Sequence, residues 1–596
     1  MLPKFKKEKR RKVVGQIRQT QLITTFGCGS VVDLLDNTVI IAGTDFWDYA
    51  DDPSCKDKYI IYEENLQKLL GVDHFILPKI EDRPPRFPGD YSHDIPAFRF
   101  PEFMYCPSCH RLIHYRRISH TGKLRCFCKK RTNLVPARFI LACENGHLED
   151  FPYYWWVHRG KECKSPKGKQ HNISLLSRPG TSGLEGLYLT CNDCSETRSM
   201  KSAFRPNALK DYHCSGNMPW LRKKDEKTCD KVMRPLLRSA VSVYYGVTHS
   251  ALTIPPWSSS IQQLINAHAG YLFDFIDDDY MLKNFIERKI LYKNCGFTVE
   301  DVIKQLRRKD KARKTKEVKE AKNILEDEYK ALCKEIDDEE FKTQFAQVPA
   351  KYTEYIDSVV LVKKLKEVMA LIGFKRIKPF IEGDTESGNI APLSSEKKNW
   401  YPAVELRGEG IFIKFNYEKI KEWEERIGKR YELMKENMEK SIRKTDKYLP
   451  HYVLLHTISH LLIRQLTLQC GYSSAALKER IYSRFDDEQE NMEMAGILIY
   501  TASPDSEGSL GGLVRQGEPE RFQEILDNML KEAKWCSSDP LCINMKSQGA
   551  FSLNYAACHS CALLPETSCE IANSFLDRVA VVGTIEDRNL GFFEGL

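Results

Sequence analysis

The sequence predicts an α+β protein of several domains, in which small cysteine-bound modules sit beside larger hydrophobic cores. Three features lead there. The 596 residues are several times the ~100–200 that one domain takes, which gives roughly three to five domains. The 42% hydrophobic content fills those cores and is too high for a disordered chain. The 20 cysteines fall largely in close pairs.

Residues 1–100 are expected to form a mixed domain with a basic arm. The apolar stretches Val39–Ala42 and Tyr59–Tyr62, divided by Gly, Pro and Asp, read as small strands and turns, and Arg83–Asp90 reads as a loop. The arm carries seven basic residues among Lys4–Lys12. No apolar stretch follows it, so no secretory leader is expected. No run of ~18 apolar residues occurs either, so no membrane helix is expected. A reducing, cytoplasmic setting follows, in which paired cysteines signal metal rather than disulfides.

Residues 101–240 are the expected cysteine-rich metal-binding region. Cys106-x2-Cys109 and Cys126-x-Cys128 are close pairs sixteen residues apart. Two such knuckles grip one ion from opposite sides, as in a zinc ribbon, because thiolates suit a tetrahedral, borderline-soft ion. Cys191-x2-Cys194, with Cys214 and Cys229 beyond it, reads as a second set. Buried free thiols are the competing reading for both. A third group, Cys143, His147, His158 and Cys163, brackets the aromatic run Phe151–Val157. It reads either as a Cys2His2 set or as ordinary core and surface residues.

Residues 241–399 are expected to be mainly helical. A helical pattern covers 258–290, and 301–345 is heavily charged and free of Pro and Gly, which predicts one or two long exposed helices. Asp301–Asn323 carries ten basic and four acidic residues, whereas Ile324–Ala346 is net acidic. Either this is a solvated helical hairpin, or Lys304, Arg307, Arg308 and Lys311 face phosphate or a partner.

Residues 400–596 are expected to form a mixed α/β C-terminal domain with its own cysteine-rich zinc module. Gly410–Phe415 alternates like a strand, and Pro450 opens an apolar helix running to about Leu468. Met494–Thr501 reads as a strand, and the Gly-rich turn Gly508–Gly512 leads to a helix over Pro519–Trp535. Cys536, Cys542, Cys558, Cys561 and Cys569 follow. Zinc takes four ligands. Cys558, Cys561 and Cys569 are expected to supply three, and Cys536 or Cys542 the fourth. Sets of four protein ligands leave no position for a catalytic water, so structural zinc is expected, about two to four ions per chain.

Ninety basic against 82 acidic residues leave a net charge of +8. That is mild for this length, so any basic surface is local. The sequence lacks the G-x-x-x-x-G-K-[ST] phosphate loop, H-E-x-x-H, G-x-S-x-G, and H-x-E paired with P-C-x-x-C. Gly27-Cys-Gly29 and Gly408-Glu-Gly410 are too short to be nucleotide fingerprints. No catalytic residue, small-molecule substrate or internal repeat beyond the cysteine pairs is expected. On the Pro450 helix, His456, His460 and Arg464 lie four apart and share a face. They either hydrogen-bond a neighbouring element or a phosphate, or form a two-histidine metal site that Asp505 and Glu507 join.

Several strings resemble the DrmB family of the bacterial anti-phage system DISARM. They are Leu134–Pro152 (LVPARFILACENGHLEDFP), Gln19–Ile23 with Phe26–Asp33, and Leu455–Leu462. The resemblance implies a non-catalytic, DNA-engaging partner of a separate DrmA-like helicase in restricting invading DNA. The missing phosphate loop agrees with a motor in the partner and a zinc scaffold here. The C-terminal part is similar to the zinc-binding module that ends MrfA-type repair helicases. The matching residues are Cys558-His-Ser-Cys561, Cys569 with Asn573, and Leu576-Asp-Arg578. The departure is an insertion between Cys536/Cys542 and that pair. Lys4–Lys12, Lys304–Lys322 and exposed aromatics are expected to contact DNA, including single strands. Two other functions stand beside this one: a metal-dependent nuclease using His456, His460, Asp505 and Glu507, and a scaffold that touches only proteins.

Overall fold

One strand of twenty residues, Ile356–Lys375, organises the larger part of the molecule. The computed structural model describes residues 14–35, 37–51, 59–79, 95–118, 124–163, 172–181, 183–205, 207–258, 260–291, 297–314, 321–380, 390–440, 450–484, 493–502, 511–549, 552–565 and 567–596. The basic arm Lys4–Lys12, the loop Arg83–Asp90, and Asp505 and Glu507 lie outside them. In the sheet, Ile356–Lys375 pairs antiparallel with Trp400–Phe415, which pairs with Met494–Thr501, and Leu477–Arg484 follows. On its other side Lys342–Ala346 pairs with the first half and Tyr245–Leu252 with the second. His74–Ile76 adds a parallel strand to the start of Trp400–Phe415.

Both faces of this sheet are buried, which explains why its strands read as apolar runs more than as strict alternations. Val359, Ile411, Ile413, Ile497 and Ile499 point into one core, under the helices Pro450–Cys470 and Pro519–Ala533. Val360, Val362, Phe412, Leu498 and Tyr500 point into the other, under Ala321–Leu332. The register of the long strand shifts between Val362 and Leu365, where Lys363 and Lys364 are exposed. That bulge lets one continuous strand serve two partners on the same edge.

The sequence reading needs correction between 241 and 399. Short helices over Ser260–Phe285 are present, and Val299–Lys314 and Ala321–Leu332 are helical. After Leu332, however, the chain is β: Ile336–Asp337, Lys342–Ala346 and Ile356–Lys375. The charged helices are not simply exposed. Lys309 is buried with its ammonium 2.5 Å from Glu64, and Glu328 is buried 2.7 Å from the Arg480 guanidinium. Paired charge reads as surface in a sequence and lies in the core here. Division at 399/400 would also cut the sheet between its two longest strands.

The cysteine-rich region folds around a six-stranded sheet, ordered Thr197–Ser199, Leu187–Cys191, Ile173–Ser177, Arg111–His114, Phe103–Tyr105, Val135–Pro136. A three-stranded sheet lies beside it, Leu148–Asp150, Phe139–Ala142, Arg234–Leu237. Phe139, Phe151, Tyr153 and Trp156 fill the core between them.

A buried arginine joins this region to the large sheet. Arg376, just past the long strand, donates to the carbonyls of Gly146 and Gly29, each at 2.8 Å, and to that of Val243. Burial lowers its guanidinium to about 9. Gly29 takes φ +85, and a Cβ there would strike the Phe374 ring, so only glycine presents that carbonyl. Arg376→Ala leaves three buried carbonyls unpaired at about 1–3 kcal/mol each. It is expected to lower the melting temperature of the full chain by several degrees, read by calorimetry. An unchanged melting curve would mean the three segments dock without it.

Candidate metal centres

The thiol clusters are built from tight turns that aim neighbouring side chains the same way. In Cys106–Cys109, His110 takes the left-handed conformation (φ 61) and its amide donates to the Cys106 carbonyl at 2.8 Å. The Cys109 amide points at Cys106 Sγ at 3.5 Å. Cys126–Cys128 repeats the device, with the Cys128 amide 3.4 Å from Cys126 Sγ. The strands around them bring the knuckles face to face. Cys106 Sγ lies 3.9 Å from Cys128 Sγ, and Cys109 Sγ 3.5 Å from Cys126 Sγ. A disulfide needs about 2.05 Å, and the described cysteines are free thiols. Bonds of about 2.3 Å to a tetrahedral ion put sulfurs roughly 3.8 Å apart.

The next eight residues also form two tetrads, paired differently from the sequence reading. Cys143 and His147 meet Cys214 and Cys229, whereas His158 and Cys163 meet Cys191 and Cys194. Neither Cys191-Cys194-Cys214-Cys229 nor Cys143-His147-His158-Cys163 forms. The cause lies in the strands. Cys143 and His147 stand at the tip of the hairpin Phe139–Ala142/Leu148–Asp150, and Arg234–Leu237 pairs beside it, which carries Cys229 in. The helix Tyr153–His158 packs instead on the far sheet, with Trp156 Nε1 donating to Ser199 O at 3.3 Å. His158 therefore arrives beside the Cys191–Cys194 turn.

Both histidines are held by their second nitrogen. His147 Nδ1 is 3.4 Å from both Cys143 and Cys214 Sγ, and its Nε2 is 3.3 Å from Asp225. His158 Nε2 is 3.4 Å from Cys194 Sγ, and its Nδ1 is 2.9 Å from the Tyr154 carbonyl. Such an outer partner is how a metal-binding imidazole is fixed in ring orientation and tautomer.

At the C-terminus Cys536, Cys542, Cys558 and Cys561 come together. Cys536 Sγ is 3.5 Å from Cys558 Sγ, and Cys542 Sγ is 3.8 Å from Cys561 Sγ. Both early cysteines are present because Asp539 caps the turn between them, accepting from the Cys536 and Ile543 amides at 2.6 and 2.9 Å. Arg578 then clamps Asp539 at 2.8 and 3.0 Å. Cys569 is not in this set, which corrects its assignment as the third ligand. Its Sγ accepts from the Asn573 amide and lies against His456 Nε2, each at 3.2 Å. The rest of the stripe meets the same knuckle: His460 Nδ1 lies 2.8 Å from the Ala562 carbonyl, and Arg464 donates to Ser560 O at 2.7 Å.

The thiols in these tetrads are unequal. A hydrogen bond from Cys214 brings the Cys143 thiol down to about 4, against burial, with His147 lowering it further. Burial raises Cys128 and Cys558, but amide and thiol hydrogen bonds outweigh it and bring each to about 7. Each of these tetrads so offers one sulfur that ionises at or below neutral pH, the form that binds metal. The donor sets and spacings fit a tetrahedral thiophilic ion.

Among the proposed DNA contacts, Lys304, Arg307 and Arg308 are exposed on Val299–Lys314. Arg307 is paired with Asp279 at 2.7 Å, and Arg308 lies over Trp257. The Lys311 side chain lies outside the described residues. Asp225 and Asp539 were missed in the sequence, because a carboxylate that braces a ligand carries no spacing signal. Among the described residues no helix is long and apolar enough to cross a membrane.

Residues 18–245 match a family described as a domain of unknown function (DUF8724), and residues 458–562 match the MrfA Zn-binding domain. A DISARM protein DrmB of Bacillus paralicheniformis is 33% identical over 95% of this chain and 100% of its own length. The crystal structure of DUF1998 helicase MrfA bound to DNA aligns at 12% identity over 34% of this chain and 22% of that one. Its TM-score of 0.17 carries no structural argument.

The separated tetrads have a direct consequence. If Cys191 and Cys214 serve different ions, Cys191→Ser and Cys214→Ser combined are expected to remove two metal equivalents, and each alone one. Elemental analysis of the dialysed full chain reads this. A double variant that loses only one would restore a shared ion.

Proposed function

The chain belongs to the DrmB family of DISARM proteins, and from that premise we propose that it is a zinc-stabilised subunit of an antiviral defence system. It engages DNA beside a separate DrmA-like helicase and catalyses no reaction itself. Zinc in the thiol-rich tetrads supplies the folding energy that such small modules cannot draw from their cores. Four protein ligands in each leave no place for a reacting water, which supports a structural role.

The observation that carries DNA engagement is the tip of the Cys126–Cys128 knuckle in the first tetrad. Phe127, between Cys126 and Cys128, is 73% exposed. Arg125, Lys129, Lys130 and Arg131 beside it are also exposed. A ring held out by a metal-bound turn stacks on any base, while flanking cations follow the phosphates. The Val299–Lys314 helix is the weaker surface, because Asp279 already neutralises Arg307. The nuclease reading loses support at its histidines, since His456 and His460 are wholly buried.

Full-length protein should bind single-stranded DNA with an affinity that falls steeply with salt, and should leave it uncut with Mg²⁺ or Mn²⁺. Phe127→Ala should cost about 1–3 kcal/mol of binding, read by fluorescence anisotropy. Reversing Lys129, Lys130 and Arg131 should flatten the salt slope by about 0.7 per lost phosphate contact. Co-purification with a helicase encoded beside it would support the partnership. DNA cleavage would overturn the non-catalytic reading. Unchanged binding in both knuckle variants would move the contact elsewhere.

A further inference from the structure

We infer that His456, His460, Glu479 and Cys569 hold a metal ion of their own, a divalent transition ion for which zinc is the best fit, beside the four-cysteine knuckle and distinct from it. Their ligand atoms all lie within 4.8 Å of one another. His456 Nε2 is 3.1 Å from Glu479 Oε1 and 3.2 Å from Cys569 Sγ, and His460 Nε2 is 3.5 Å from the same Oε1. Bonds of about 2.0–2.3 Å to one tetrahedral centre produce edges of roughly 3.3–3.8 Å. The two rings meet edge to face, 82° apart with centroids at 4.5 Å. Both Nε2 atoms lie beside the same Glu479 oxygen.

The second argument is a lone pair without a donor. His460 is fully buried, and its Nδ1 faces the Ala562 carbonyl at 2.8 Å, so that nitrogen carries the proton. In the neutral ring, Nε2 then presents a lone pair into the cluster, and it has no hydrogen-bond partner there. What faces it is a carboxylate oxygen, also an acceptor. Two acceptors pointed at each other in a dry interior repel unless a cation lies between them. This is the second-nitrogen arrangement already seen at His147 and His158, where the free nitrogen faces thiols.

The carboxylate is as firmly placed. Glu479 Oε2 accepts the Ser459 hydroxyl at 2.5 Å, and Oε1 accepts the Glu570 amide at 3.2 Å. The Glu479 amide donates to Ser568 O at 3.2 Å, one residue before Cys569. Two imidazoles, a carboxylate and a thiolate form a mixed set that zinc accepts. All four positions are filled by protein, so the ion is structural. It would tie the helix Pro450–Cys470 to the strand Leu477–Arg484 and to the chain after the knuckle. The Ala562 carbonyl that orients His460 adjoins Cys561, so the two C-terminal centres would brace each other.

The competing state is a proton in place of the ion, a buried imidazolium against Glu479. Metal analysis separates the two without reference to DNA binding, so a failure here would leave the functional proposal standing. Full-length protein, purified without a metal-affinity step and dialysed, should lose one equivalent on Cys569→Ser and one on Glu479→Gln, but not two when these are combined. Cys558→Ser should remove a different equivalent, additive with Cys569→Ser. Because those variants can misfold, wild-type crystals provide the second test. Anomalous scattering at the zinc edge should place a peak among His456, His460, Glu479 and Cys569, and scans at the iron, nickel and copper edges would identify another ion. Unchanged metal content in folded variants, or no anomalous peak in wild-type crystals, would leave the proton-bridged pair and overturn the site.

Discussion

The C-terminal half is governed by one constraint: the helix Pro450–Cys470 cannot face water, yet it is not wholly apolar. Fifteen of its 21 residues are buried, among them His451, His456, Thr457, Ser459, His460 and Gln465. Burying these groups without partners would cost several kcal/mol each, so the surroundings are built to pair them. Glu424 takes His451 at 2.7 Å, and Glu479 takes Ser459 and lies against His456. Thr457 Oγ1 accepts the Asp577 amide at 3.0 Å. Asp577 is in turn held by Arg430 at 2.7 Å and the Tyr431 hydroxyl at 2.9 Å. A single buried helix thus fixes a strand, a preceding helical segment and the cysteine knuckle around itself. The order in which those parts appear in the sequence is secondary to their shared need for this helix.

The local half of each metal centre was legible in the sequence, and the long-range half was not. A Cys-x2-Cys or Cys-x-Cys turn is dictated by the chain beside it, through amide-to-sulfur hydrogen bonds and a left-handed residue such as His110 or Ser195. Which two turns meet is dictated by sheet pairing, which adjacency in sequence does not reveal. Cys194 and Cys214 are close along the chain, yet separate sheets carry them to separate tetrads. Cys569 misled for the opposite reason. It follows the knuckle directly, but the turn that Asp539 caps supplies two earlier thiols, and the backbone after Ala562 leads Cys569 back to the histidine helix.

The long strand Ile356–Lys375 was unread for a related cause. Its partner Trp400–Phe415 begins 25 residues later, and burial on both faces erases the alternation that marks a half-exposed strand. The two exposed lysines at the bulge add a false polar break. Met494–Thr501 and the Pro450 helix, in contrast, were visible because an unbroken apolar run of strand or helix length has few other interpretations. Charge misled where it was paired: Glu328 accepts from the Leu252 amide at 2.8 Å and the Tyr482 hydroxyl at 3.0 Å, bonds no local pattern announces. A sequence displays a charge and hides its partner.

The division between interior and surface also locates function. A centre closed by four protein ligands holds its surroundings still, and its chemistry is spent on that. Whatever this chain recognises must therefore meet side chains outside those centres that the centres hold rigid. Phe127 satisfies both conditions, since residues on either side of it belong to one tetrad while its ring remains in solvent. Trp535 repeats the pattern, 66% exposed and next to Cys536. An aromatic ring on a free loop would pay conformational entropy on ordering against a base, whereas a ring beside a metal-bound cysteine has already been ordered during folding. Rigid presentation of exposed rings is thus what these centres would contribute to the DNA engagement proposed above, and it follows from the thiol pairs first visible in the sequence.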